Sequence, residues 1–296
     1  MRDVCHCALT WQTSRNTDAC PVMTIAVAVR TGSAVVFAAD SKITTMGVVG
    51  IQEDGTPSWV EQTYDNATKV AHDLSQQLMV MVAGEANVGQ VLATDFISTT
   101  AFRPVSTRED QEAEVLKLVS AMKDARRAFW EGKVSSDQWP MTKILLAAPS
   151  PLGDVPRVWG IEFRGEEAIP EEILTQPGIR LEGSYAEVYG LLYGYEPRVF
   201  SSIIEGLGIE SDQLQKALAT RKALSPLHKM PLWSMPLQDA IDMAVFIAEV
   251  QVQMDRFLPG TPACGGPIDV LVLQMAPQPG ITAFPGKSLH HPRQGR

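Results

Sequence analysis

Read as apolar and polar positions, the chain opens on a β pattern. Ile25, Val27 and Val29 alternate with smaller residues, Gly32-Ser33 follows, and Ala34 to Ala39 forms a second apolar run ending at Asp40-Ser41-Lys42. Two such runs around a Gly-containing turn predict a hairpin. Residues 45–64 mix Gly, Asp, Thr and Pro without a period and predict a long loop with a small hairpin around Glu53-Asp54-Gly55. Lys69-Val70-Ala71 and Leu78 to Ala83 predict two more strands, with Asp73-Leu74-Ser75 in the turn between them. Four strands in succession on short turns indicate an antiparallel sheet.

After Gly84 the spacing of Val88, Val91, Leu92 and Phe96 predicts a helix. A second helix is expected from about Glu109 to Trp130, with Val115, Leu116, Leu118, Val119, Met122 and Phe129 on one face. Strands return at 143–148 and 157–163, and Gly183-Ser184 opens a helix through Leu192. Residues 196–235 read as a mixed helical insertion, Leu237 to Phe257 as a long helix, and Ile268 to Leu273 as the closing strand. Pro277, Pro279, Gly280, Pro285, Gly286 and Pro292 mark residues 275–296 as a loose tail. This order is an α+β plan with helices covering an antiparallel core, not the alternation of a parallel sheet. No Walker or Rossmann glycine loop occurs in it.

Composition narrows the partners. The 296 residues are 45% hydrophobic and 20% charged, which is ordinary for a globular protein. A net charge of -9 without a Lys/Arg cluster argues against nucleic acid. No apolar run is long enough for a bilayer, and residues 1–22 hold no signal-type apolar stretch. With only four cysteines, the expectation is a cytoplasmic protein. Cys5-His6-Cys7 lacks zinc-site spacing, and the five histidines are scattered without paired acids. No metal, cofactor or His-based triad is expected.

The candidate chemistry begins at Thr24. It is followed by "VVFAADSKIT" (35–44), "TKVAHDL" (68–74) and "VMVAGEANVG" (80–89), and Asp40 stands 16 positions beyond Thr24. On these residues and that interval the chain resembles the proteasome β-subunit family of N-terminal nucleophile hydrolases. "GSYAEVYGLLYGYEP" (183–197) and "LQDAIDMAVFIAEVQVQMD" (237–255) extend the resemblance over about residues 24–274, interrupted at 45–64 and 196–235. It implies a four-layer αββα sandwich, two stacked antiparallel sheets flanked by helices. It implies Thr24 as nucleophile, Asp40, Lys69, Ser184 and Asp255 as its support, and Gly84 as the oxyanion hole. Thr44, Thr45 and Met46 become candidates for binding substrate. The family follows its helix-end Asp with a Ser-Gly turn; here "RFLPGTPACGG" (256–266) puts Leu258 or Cys264 in the Ser place.

The chemistry follows from elementary rules. A Thr hydroxyl needs an adjacent base, which a free α-amine of pKa near ~8 supplies. Lys69 would depress that amine and stabilise negative charge on oxygen, with Asp40 as its counterion. A free Thr24 amine requires loss of residues 1–23. Translation starting at Met23 followed by methionine removal is the expected route; autoproteolysis of Met23–Thr24 and an intact, blocked chain are the alternatives. The implied activity is a threonine-type peptidase acting on peptide or protein substrates as a homo-oligomeric ring, with an ATPase partner undetermined. An amidase or acylase on non-peptide amides and a non-catalytic ring scaffold are the competing readings.

Overall fold

The computed structural model describes residues 24–51, 57–133, 135–195, 230–275 and 279–284, with scattered positions between 199 and 220. The expectations for residues 1–23, and most of those for 196–235, lie outside the described residues. The expected hairpin is present: β1 (Ile25–Arg30) and β2 (Ala34–Asp40) pair antiparallel, and the Thr31 N–H closes the turn on the Ala34 carbonyl at 2.9 Å. Every residue of both strands is buried. Side chains alternate across a strand, so this requires both faces of the sheet to be covered.

The two faces are sorted by size. Ile25, Val27 and Val29 pack with Ala240, Ala244 and Ile247 of α4 (Leu237–Asp255), whereas Ala26 and Ala28 meet Met79, Met81 and Leu145 of a second sheet. The first sheet has the order β12-β1-β2-β13-β14, where β12 is Gly178–Gly183, β13 Ile268–Gln274 and β14 Gly280–Phe284. The second has the order β11-β10-β9-β6-β5, with β11 Glu167–Ile173, β10 Arg157–Arg164, β9 Thr142–Ala148, β6 Met79–Gly84 and β5 Val70–His72. All ladders are antiparallel. The outer face of the second sheet, Val80, Val82, Ile144 and Leu146, packs on α1 (Ala93–Ser98) and α2 (Arg108–Trp130). The fold is therefore the expected four-layer αββα sandwich.

Several elements differ from their expectations. The four early strands do not share one sheet: β1 and β2 belong to one, β5 and β6 to the other. Residues 45–64 are not mainly loop: paired strands flank Glu53-Asp54-Gly55, as the hairpin expected there requires, and the turn itself lies outside the described residues. β3 (Ile43–Ile51) and β4 (Pro57–Tyr64) pair as a two-stranded ribbon that leaves β2 and returns at β5. The first helix begins only at Ala93, because Asn87–Val88 (β7) and Val91–Leu92 (β8) make a small hairpin before it. Leu116 leaves the apolar face of α2 and is 55% exposed. The tail is not wholly loose, since β14 pairs with β13 at the sheet edge.

Two local devices hold the loops. Thr107 caps α2 by accepting the Asp110 N–H at 3.1 Å, a contact that stabilises a helix by about 1 kcal/mol. Asp73, fully buried between β5 and β6, accepts backbone N–H groups of Ser75, Gln77, Leu78 and Phe102 at 2.7–3.0 Å.

Candidate active site

Thr24 is buried immediately before β1. Its carbonyl accepts the Ser184 N–H at 2.6 Å. That bond demands close passage of the neighbouring strand, where Gly183 pairs with Ile25. Gly183 has φ +88, and a Cβ there would stand 1.9 Å from the Thr24 carbonyl oxygen. Only glycine meets both conditions.

On the other side, the Ile25 N–H donates to Asp40 Oδ1 at 3.1 Å. Asp40 ends β2 and receives three further donors: Lys69 Nζ at 2.7 Å on Oδ1, and the N–H groups of Gly265 at 2.9 Å and Lys42 at 3.3 Å on Oδ2. Burial pushes the Asp40 carboxyl up, and Lys69 with the Gly265 and Ile25 N–H groups opposes that shift. Four donors on two oxygens are the compensation that a buried carboxylate needs. Lys69, itself 4% exposed, directly precedes β5, so the Asp40–Lys69 pair ties the two sheets together beside Thr24.

Asp255 is the last residue of α4 and is buried, not a solvated helix end. Its Oδ2 accepts the Cys264 N–H and its Oδ1 the Gln251 amide, both at 2.8 Å. The next residue of the same loop, Gly265, donates to Asp40. Asp255 thus joins the Thr24 cluster through the Cys264-Gly265 backbone. Cys264 is one of the two residues, with Leu258, that the resemblance offers for the Ser place. Burial and the Asp40 and Asp255 carboxylates push this thiol up against the opposing influence of Lys69.

Ser184 enters through its backbone. It is not the cap of α3 (Ala186–Tyr193), whose N-cap is Tyr185. Gly84 ends β6 with φ +87, and a Cβ there would lie 2.7 Å from the Met141 carbonyl oxygen. It ends a strand and does not start a helix, and β6 packs against β1 and β12. Thr44, Thr45 and Met46 lie on β3, opposite Thr63, Gln62 and Glu61.

Sequence reasoning did not find Gln251 or the Gly265 N–H. Gln251 is fully buried on the stripe of α4 that carries Ile247 and Asp255, four positions to either side. A polar residue on a buried helical stripe was the available signal. Among the described residues, no group of three or more His, Cys, Asp or Glu is arranged to hold a metal ion. Among the same residues, no helix is long and apolar enough to cross a membrane.

No protein-family model matches the chain, and no curated protein matches it. Among solved structures, Anbu from Hyphomicrobium sp. strain MC1 is similar to it with a TM-score of 0.46 and 13% identity, over 89% of this chain and 88% of that one. The membership in the proteasome β-subunit family that the motifs imply is corrected by these findings. Neither a family model nor a curated relative supports it, and the structural likeness is too remote to assign a family.

Proposed function

We propose that this protein hydrolyses amide bonds by acyl transfer to Thr24, as a threonine-type peptidase. One observation carries the reading: the Thr24 carbonyl accepts the Ser184 N–H, the next N–H along, that of Ile25, donates to Asp40, and Asp40 in turn holds the buried ammonium of Lys69 at 2.7 Å. A buried lysine paired with a carboxylate beside a hydroxyl residue suits the stabilisation of an alkoxide.

In the 296-residue chain the Thr24 nitrogen is a peptide nitrogen, so the reaction requires release of residues 1–23. The freed α-amine takes the proton of Thr24 Oγ1 as that oxygen attacks the substrate carbonyl carbon. The Gly84 N–H is the proposed donor to the oxyanion. The C–N bond breaks, the departing amine carries away the proton, and a Thr24 ester remains. Water then attacks the ester carbonyl and gives a proton to the α-amine, the C–Oγ1 bond breaks, and the amine passes that proton to Oγ1, releasing the carboxylic acid and restoring Thr24. Ser184 holds the Thr24 carbonyl through its N–H, Asp255 fixes the Cys264-Gly265 turn that donates to Asp40, and Thr44, Thr45 and Met46 are proposed to bind substrate.

A second reading keeps this chemistry on non-peptide amides. The β3–β4 ribbon favours it, because a paired insertion springing from Asp40-Ser41-Lys42 suits a shaped pocket. Turnover of a fluorogenic peptide panel against simple aryl amides separates the two. Loss of activity in Thr24→Ala is expected in either case, and survival of activity in that variant would overturn both. We extend the proposal to a homo-oligomer joined through the helical layers. Phe246, Met254 and Phe257 lie exposed on and just after α4, an apolar surface of the kind that marks interfaces. Sedimentation at micromolar concentration is expected to show a species larger than 32.3 kDa, and a monomer would contradict that extension.

A further inference from the structure

We propose that Lys143 and Glu182 form a second clamp between the sheets, a pair of positioning residues that fixes Thr24 relative to Gly84. The proposal rests on the reading of Thr24 as nucleophile. Lys143 Nζ lies 3.1 Å from Glu182 Oε2, and Glu182 is buried. Glu182 belongs to β12 in the first sheet and Lys143 to β9 in the second. The pair therefore crosses the same gap as Asp40–Lys69, on the opposite flank of β1.

What each end is attached to gives the pair its role. Glu182 is followed by Gly183 and Ser184, which press on and hydrogen-bond to the Thr24 carbonyl. Lys143 is preceded by Thr142, the ladder partner of Gly84, and itself pairs with Ala83. One end thus holds the proposed nucleophile and the other the proposed oxyanion donor. Asp40–Lys69 ties the same two sheets through β2 and the start of β5. Thr24 is suspended between the two pairs.

The surroundings favour the charged form of Lys143. Burial alone would lower the Lys143 ammonium, and Glu182 with Glu162 outweighs it and holds the group above its ordinary value. Arg180 Nε donates to the other oxygen of Glu182 at 2.6 Å. The nucleophile chemistry as derived uses none of these four charges. A sheet-to-sheet displacement at this point would move a hydroxyl away from its oxyanion donor, an error that acts on the transition state more than on substrate binding.

The test uses the protein beginning at Thr24, with Lys143→Gln, Glu182→Gln, the double variant and Lys143→Arg. Two readings are taken: hydrogen exchange at the Ser184 N–H, and kcat and KM on a fluorogenic peptide amide. In each Gln variant, Ser184 exchange is expected to quicken about tenfold while amides of α2 keep their rate. Turnover is expected to fall about 10- to 100-fold with KM held within about twofold. The double variant is expected to be no worse than either single one, and Lys143→Arg to retain wild-type behaviour within about threefold. Unchanged Ser184 exchange, or equal quickening throughout α2, would overturn the clamp. If wild-type activity survives Thr24→Ala, the nucleophile reading fails instead, and Ser184 exchange still decides whether the pair holds Thr24.

Discussion

Lys69 Nζ and Asp40 Oδ1 meet at 2.7 Å with the lysine 4% exposed, and they do so from two different sheets. The pair is the point where the fold and the proposed chemistry coincide. Removing one partner strands a buried charge. Lys69→Ala is therefore expected to lower stability by about 3–5 kcal/mol as well as to abolish turnover. Chemical denaturation checks the first effect. Lys69→Ala combined with Asp40→Ala should cost less than the sum of the two single changes, because neither charge is then left alone.

Gly183→Ala is expected to destabilise by about 2 kcal/mol or more, since φ +88 and the Thr24 carbonyl 1.9 Å from the added Cβ both oppose it. Gly190, inside α3 with nothing within 4 Å of its Cβ direction, is the control. Gly190→Ala is expected to gain about 0.5–1 kcal/mol from helix preference alone. Thermal unfolding of the two variants side by side reads both signs.

Asp73→Ala is expected to cost on the order of 3 kcal/mol or more, because four buried or half-buried N–H groups lose a charged acceptor together. Asp73→Asn should recover part of this loss, as its carbonyl oxygen accepts from fewer of them. Urea midpoints of the two variants give the comparison.

The Cys264 thiol, pushed up by burial and by the Asp40 and Asp255 carboxylates, stays protonated and unreactive at pH 8. Alkylation of the peptide that carries Cys264 is expected to be at least about tenfold slower in the native protein than after denaturation. Fast native labelling would place the thiol outside the Asp255 network.

Much of the site was legible because strand ends are marked in sequence. Asp40 closes an apolar run, Lys69 opens another, and Gly84 ends a third. The four layers were legible only through the resemblance. β11 was hidden because "EAIPEEI" is polar and holds Pro170, which an edge strand tolerates. β12 was hidden because Arg180 and Glu182 interrupt its apolar residues, and their charges turn out to lie in the gap between the sheets. β14 was masked by flanking Pro and Gly. Asp255 was legible only through the resemblance, and Gln251 only as a polar residue on an apolar helical stripe, until α4 was seen against the first sheet.

The central claim is that Thr24, as a chain terminus, is the nucleophile, and intact-mass analysis with peptide mapping tests it most directly. The active protein is treated with a β-lactone, which acylates a nucleophilic hydroxyl. The expected result is a chain beginning at Thr24, a single adduct on Thr24, and none in Thr24→Ala or Lys69→Ala. An amide-hydrolysing chain that retains residues 1–23, or an adduct on any other residue, would contradict it.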